Sequence, residues 1–520
     1  MTSPPTQEEQ APATISAAEL QRGAARGFAW TLVNIVLSTP VAVAVNAVVA
    51  RYLGTANYGR LATLTVAIGL MSQLTNFGVS DATIQWGASA HALGNRRQVD
   101  RLLSTSLGYH MFVMLPLALT GALMLARGSS PIVLAALVVG TTLPAALGSA
   151  ALCISIENRT AAAAKIALIS NLVIQTVVLL TAWASHSASG VWSARMAAGG
   201  LLLPLNFIVL DRARRGAAAR LAVPRRMPNG YWRYCAYATA SGLVATLVTS
   251  RSEVLILGAW KLTVAAGLFS LAYGLSKQVT APVDAIAGPL IPAITGLLTA
   301  HADQATQALL RVTRVASMLS SIIVAVAVPG VFASIPLLYG KAYGNAGWPF
   351  VVLAITSCLE SVIAPLYVFT RARRRNDLVL KIGLAALAVD VSAAILGIPH
   401  QPLLGAVVAN ALGLLTALVL LATVETRAHG VRLSDFVLAL SPMAAATIAG
   451  VSASAITVML SATPLLALAS GPAVGYTAFL ALVRLLPIPT GKSDIESSLR
   501  SLSGRAATLA LRMLTPLTPR

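Results

Sequence analysis

The sequence predicts an all-α polytopic membrane protein of about fourteen transmembrane helices, with two six-helix lobes followed by two extra C-terminal helices. Three observations carry this. Apolar residues make up 57% of the 520 and charged residues 10%, with a mean hydropathy of +0.78, far from the balance of a water-soluble domain. Apolar stretches long enough to cross a hydrocarbon core of about 30 Å follow one another from Phe28 to Leu486. The connections between them alternate between Arg-rich and nearly Arg-free, as the positive-inside bias requires of a chain with both ends on one side.

Residues 1–27 are rich in Pro, Gln, Glu, Ala and Thr and lack a basic start followed by an isolated apolar core. They are expected to form a disordered cytoplasmic leader rather than a cleaved signal. The first lobe, residues 28–210, takes the spans Phe28–Ala50, Leu61–Gln85, Leu102–Ala126, Pro131–Ile156, Thr160–Ala184 and Gly190–Leu210. A basic cytoplasmic linker, 211–233, follows. The second lobe, 234–424, takes Tyr234–Gly258, Ala265–Ile291, Val312–Leu338, Trp348–Phe369, Leu378–Ile398 and Pro402–Val424. Residues 425–487 hold Phe436–Leu460 and Pro464–Leu486. Each stretch reaches the roughly 20 residues a helical crossing needs, with modest tilt. In the tail, 488–520, Ser493 and Glu496 have capping-box spacing, and Ile495, Leu499, Leu502, Leu509 and Met513 share one face, as an amphipathic helix over 493–514 would require.

Charge sets the orientation. With the N-terminus inside, Arg96, Arg97 and Arg101, the run from Arg212 to Arg233, and Arg371, Arg373, Arg374 and Arg375 are all cytoplasmic. The formal charge of +20 then reads as topology and attraction to anionic headgroups. Nucleic acid is excluded as a partner, because the basic loops are short and carry no set of stacking aromatics. Cys153, Cys235 and Cys358 lie in or beside spans with no CxxC pair and no His at metal spacing, so they read as packing residues; no metal or cofactor is expected. Pro40, Pro116, Pro144, Pro282, Pro365 and other prolines interrupt the spans and allow bends.

The segment 50–62, Ala-Arg-Tyr-Leu-Gly-Thr-Ala-Asn-Tyr-Gly-Arg-Leu-Ala, leads from the first span into the second. A similar segment, 257–272, joins the seventh to the eighth, with Gly267 in the place of Gly59. Six intervening spans preserve orientation, so the lobes should be parallel repeats related by a pseudo-two-fold along the membrane normal, their glycines allowing close approach.

With Asn76-Phe77-Gly78-Val79, Ala82, Gln85 and the stretch Arg251–Gly258, these segments make residues 22–430 resemble the polysaccharide biosynthesis flippases, lipid-linked oligosaccharide exporters of the MATE-like multidrug/oligosaccharidyl-lipid/polysaccharide superfamily. The resemblance implies two lobes around a cavity open alternately to each side of a bacterial inner membrane. It implies a polyprenyl-pyrophosphate-linked glycan as substrate, with a polysaccharide polymerase or glycosyltransferase complex as partner. An exporter of small molecules and a peptidoglycan-precursor flippase are alternatives on the same fold. A glycan polymerase would need an external catalytic region, and the external loops, such as Ser185–Ser189 and Pro399–Gln401, are only a few residues long. P-loop and Gly-x-Ser-x-Gly motifs are also missing, so no enzymatic activity is expected.

A flippase must give a pyrophosphate and a glycan a polar path through hydrocarbon. Lys277, near the middle of the eighth span, and Arg251, toward the outer end of the seventh, are the candidate cavity cations. Two alternatives stay open: Arg251 snorkelling to the interface, and Lys277 answering Asp284, two turns away on the same face and about 10 Å along the axis. Arg51, Arg60 and Arg195 read as interfacial. Glu253, Asp284, Glu360 and Asp390 are the candidates for ion coupling, since a carboxylate in low dielectric can hold and release a proton. Asn34, Gln73 and Asn76, with Asn46, supply hydrogen-bonding capacity for a sugar or a neighbouring helix. His110 reads as a packed or hydrogen-bonded helix residue.

Overall fold

The computed structural model describes residues 17–125, 130–223, 227–300, 305–373, 375–460 and 464–485, and among them no strand occurs. Ten of the described helices are long and apolar enough to cross a membrane, or up to twelve if each of two bent pairs forms one span. The chain is a multi-pass, all-helical membrane protein. The expected tail helix 493–514 lies outside the described residues, as do Arg374 and the side chains of Arg251 and Asp284.

The first helix differs from expectation. α1 runs Ala17–Asn76, so residues 17–27 are helical, and the expected turn at 50–62 shrinks to one non-helical residue, Gly54, at φ 71° and ψ 169°. That conformation suits only glycine, and it lets two spans continue one another with little intervening loop. The second span is also broken, at Phe77 and Gly78, both with positive φ, before α2 begins at Val79.

The chain forms two compact units. One comprises Met1–Val45 with Ile68–Ala240, the other Asn46–Ala67 with Ser241–Arg520, so the stretch around Gly54 groups with the second.

The first unit contains α2 (Val79–Ala92), α3 (Arg96–Tyr109), a π turn His110–Met114, α4 (Leu115–Leu125), α5 (Pro131–Leu147), α6 (Ser149–Ile156), α7 (Thr160–Ser185), α8 (Ala188–Leu201), α9 (Leu205–Val209) and α10 (Arg212–Ala219). α10 lies within the expected basic linker and is docked. Its Ala217 and Ala218 are buried, Ser149 Oγ donates to the Ala218 carbonyl at 2.6 Å, and Arg214 reaches both Asp100 (2.6 Å) and Glu157 (2.7 Å). Beneath it Val99, Leu103, Cys153 and Ile154 form an apolar core. A second core gathers Val79, Ala82, Met114, Tyr231 and Cys235, with the Tyr231 hydroxyl donating to the Val79 carbonyl at 3.0 Å.

The second unit holds the end of α11 (Tyr231–Thr246), a π turn Leu247–Arg251, α12 (Ser252–Ala259), α13 (Thr263–Ala300), α14 (Ala305–Tyr339), α15 (Gly347–Ala372), α16 (Asn376–Gly397), α17 (Pro402–Ala428), α18 (Leu433–Ala439), α19 (Ser441–Leu460) and α20 (Pro464–Leu485). α13 packs on α15, α16 on α17, and α19 and α20 both pack on α14. Glycines set the closest approaches: a Cβ on Gly405 would stand 2.3 Å from the Gly397 carbonyl carbon, and one on Gly413 would stand 2.8 Å from Asp390 Cβ. At the Arg-rich end, Glu425 is fully buried and is held by Thr370 at 2.6 Å and by Arg373. All three cysteines are buried and free.

Candidate functional site

Two of the expected carboxylates meet in the second unit. α11 and α12 meet at a bend of 68°, and the π turn between them leaves carbonyls without helical partners. Asn410 of α17, fully buried, turns its Nδ2 to one of them, the Thr249 carbonyl, at 3.3 Å. Directly after the bend come Ser252 and Glu253, and Asp390 of α16 faces them; both acids are fully buried. Ser252 Oγ lies 3.1 Å from Glu253 Oε2, 2.5 Å from Asp390 Oδ2 and 3.1 Å from the Leu247 carbonyl.

A hydroxyl has one hydrogen, and here it faces three oxygens. With both carboxylates ionised, two of those contacts would set lone pair against lone pair, and two like charges would lie side by side. A proton held by one of the carboxyls would supply a further donor within the cluster. The outer oxygens, Glu253 Oε1 and Asp390 Oδ1, are buried with no hydrogen-bond partner.

The other expected cation and acid also meet. Lys277 on α13 forms an ion pair with Glu360 on α15, each side chain 27% exposed, and its ammonium lies 5.7 Å from the Tyr273 ring. Ser276 and Ser357, one turn earlier on α15, are linked at 3.1 Å, which clamps the two helices beside the pair. Glu360 is thus a partner the structure gives Lys277; the Asp284 side chain lies outside the described residues. This lysine lies about 21 Å along α13 from Thr263, well away from either helix end.

The remaining candidates lie apart from these. Gln73 and Asn76 line one cavity in the first unit, while Asn34 stands elsewhere on α1 with its Oδ1 buried and unpartnered. Asn46 accepts the Tyr58 hydroxyl at 2.9 Å, bracing α1 across its Gly54 break, and Arg51 donates to the Leu337 carbonyl. Among the described residues no three His, Cys, Asp or Glu side chains gather as a metal site. Reasoning from sequence passed over Ser252 and Asn410. A buried amide in the apolar run of α17 was the available signal for Asn410; Ser252 gave none beyond its adjacency to Glu253.

A family model described as "polysaccharide biosynthesis protein" matches residues 48–347, which include the Gly54 break, Glu253 and Lys277. The chain belongs to this family. No match was found among curated proteins. Among solved structures, the polysaccharide biosynthesis chain is similar to the lipid II flippase MurJ in an inward closed conformation, with TM-score 0.61 and 9% identity, covering 88% of this chain and 98% of that one. It is similar also to a mutant of the Vibrio cholerae MATE transporter VcmN, with TM-score 0.54 and 14% identity over 79% and 98% of the two chains. An inward-facing multidrug resistance MATE family transporter of the MOP superfamily aligns with TM-score 0.53 and 12% identity over 81% and 98%. At such identities the likeness is one of fold: this member of the polysaccharide biosynthesis family has the MATE-like fold.

Proposed function

We propose that the protein is a flippase that moves a polyprenyl-pyrophosphate-linked oligosaccharide from the cytoplasmic to the outer leaflet by alternating access, coupled to protons. It sits in a bacterial inner membrane with both ends cytoplasmic, and it hands the glycan to a polysaccharide polymerase or glycosyltransferase complex. It performs no covalent chemistry. Membership of the polysaccharide biosynthesis family and the fold held in common with a lipid II flippase support the substrate class.

The observation that carries the reading is the Lys277–Glu360 pair, partly exposed at mid-helix. A buried salt bridge adds little stability when hydrophobic residues could fill the same space, so a partly exposed one inside a span calls for another use. The pyrophosphate of the substrate takes the place of the Glu360 carboxylate on Lys277 and keeps the ammonium neutralised throughout. The released carboxylate then takes up a proton or turns to water. Arg251, whose backbone lies on the π turn, is proposed as the second cation for the anion.

Energy enters at the acid pair. Loss of the shared proton would leave Glu253 and Asp390 both charged at close range, driving α12 and α16 apart at the bend that Asn410 steadies. Proton binding and release are thereby tied to two geometries of that bend.

The reading is tested by deleting the gene and locating the lipid-linked glycan. The expected result is an intact glycan accumulating on the cytoplasmic face, inaccessible to periplasmic ligase or externally added glycosidase. Single repeat units displayed outside, with only long polymer missing, would make the protein a polymerase. Unchanged surface glycan with raised drug sensitivity would make it a small-molecule exporter.

A further inference from the structure

Inside the first unit lies a cavity of about 460 Å³, lined by the Ile68–Asn76 end of α1, the π turn and α4, α5 and Met196 of α8. Its volume is in the range of pockets that hold small ligands. Pro116 explains the turn: with no N–H to give, and its ring pressing on the carbonyl four residues back, it widens the helix there and brings His110 to the wall. One side of the cavity is polar, with Gln73, Asn76, Ser80 and His110. Other parts of the lining are apolar and adaptable, with Met71 and Met196 lying where Gly121 and Gly140 leave room for them. None of the residues lining it is Asp, Glu, Lys or Arg.

The polar side is built around one amide. His110 Nδ1 faces the Ser106 carbonyl at 2.8 Å, an acceptor only, so this nitrogen carries hydrogen. Nε2 faces Asn76 Oδ1 at 3.0 Å, and Ser80 Oγ donates to the same oxygen at 2.9 Å. With a proton on Nε2, the amide oxygen is held by two donors and its NH₂, for which no acceptor occurs among the described residues, is left to the cavity. Without that proton, Nε2 becomes an acceptor, the amide turns to donate to it, and the oxygen faces the cavity instead. A hydroxyl group can answer either face, being donor and acceptor at once; a carboxylate or an ammonium can answer only one, and with His110 neutral no side chain of the lining would balance its charge.

We propose that this cavity is a recognition site for an uncharged, hydroxyl-bearing ring, a sugar of the translocated glycan, which stacks an apolar face on the methionines and hydrogen-bonds to Asn76, with His110 as the positioning residue for that amide. Identifying the ring with the glycan rests on the flippase reading; the site itself does not. Acids and bases on the surrounding helices are outside the lining, Arg195 beside Met196 on α8 among them. On α2 Asp81 and His91 are exposed or outside the lining, α3 carries Arg96, Arg97, Asp100 and Arg101 in its first two turns, and α6 ends at Glu157, held by Arg214.

Gly69 supplies the probe position, because a Cβ there meets nothing within 4 Å and the residue lines the cavity, while the three native cysteines are buried. The full chain carrying Gly69→Cys, in lipid nanodiscs, is labelled with a maleimide in the presence of octyl glucoside, octyl galactoside or octyl maltoside below micellar concentration, with octyl phosphocholine as the chain-matched control. At least one glycoside should slow labelling several-fold at saturation. Octyl phosphocholine should not. Asn76→Leu should abolish protection, and His110→Gln, whose amide can still hold Asn76, should keep more of it than His110→Leu does. Equal protection by the phosphocholine, protection by none of the glycosides, or protection that survives Asn76→Leu overturns the proposal. Protection that persists while the gene deletion leaves glycan export intact would instead overturn the flippase reading and leave the site standing.

Discussion

Gly59 and Gly267, the equivalent glycines of the two repeat segments, stand against each other in the second unit: a Cβ on Gly59 would lie 2.8 Å from the Gly267 nitrogen, and one on Gly267 would lie 3.1 Å from the Gly59 nitrogen. The Gly59 Cβ would also sit 1.9 Å from the Thr263 carbonyl oxygen, and the Gly267 Cβ 2.3 Å from that of Thr55. Backbone atoms cannot yield as a flexible side chain does, so either helix would have to move. Gly59→Val and Gly267→Val should each lower stability by about 1–3 kcal/mol, read as a fall in unfolding temperature of the purified protein. Gly274→Ala, on the same helix with open space around it, should be neutral or stabilising.

The pairing of Lys277 with Glu360 changes what Lys277→Ala should do. The single substitution removes the cation paired with Glu360 within a span and should lower protein abundance as well as export. Adding Glu360→Gln should restore abundance and leave export absent, because the anion's partner is still missing. Charge reversal, Lys277→Glu with Glu360→Lys, should keep the fold and lose most transport. Full export from the reversed pair would show that the pair is structural only.

Glu253→Gln and Asp390→Asn each remove a proton that can leave. Transport should lose its response to a pH gradient imposed across proteoliposomes, while substrate binding persists, and abundance should stay near wild type because an amide can still donate to Ser252. A drive that depends on sodium and is indifferent to protons, measured on the unmodified protein, would replace the proton in this role by a monovalent cation.

Orientation is tested with Lys341→Cys and Arg432→Cys, both exposed positions at opposite ends of the second unit's helices. A membrane-impermeant maleimide added to intact spheroplasts should label position 341 and leave 432 unlabelled until the cells are opened. The reverse pattern would invert the topology.

How much of this was legible in the residues follows from the physics of each part. Hydropathy and the Arg alternation carry the fold class, because lipid imposes both on any chain that crosses it. The glycines of the repeat could be read for the same reason: only glycine permits such close backbone approach. Helix ends were harder. Gly54 was expected inside a turn and proved to be the whole break, since hydropathy does not register where backbone dihedrals change. Partners were harder still. Lys277 and Glu360 are 83 positions apart and Ser252 and Asp390 138 apart, and spacing along a chain does not say which helix faces will meet. Asn410 was missed because its task, serving a carbonyl freed by the π turn, exists only once that turn has formed.

The most direct measurement is transbilayer movement by the purified protein. Proteoliposomes are loaded with a fluorescent polyisoprenyl-pyrophosphate-linked sugar in the inner leaflet, a pH difference is imposed, and the sugar reaching the outer leaflet is followed by its accessibility to an external glycosidase. Wild-type protein should expose the sugar faster than empty liposomes do, and Glu253→Gln should remove the dependence on the imposed pH difference. The variant with Lys277→Ala and Glu360→Gln should behave like no protein at all. Exposure of the sugar at the same rate with and without the protein, or undiminished exposure by that double variant, would contradict a flippase that carries its pyrophosphate on Lys277.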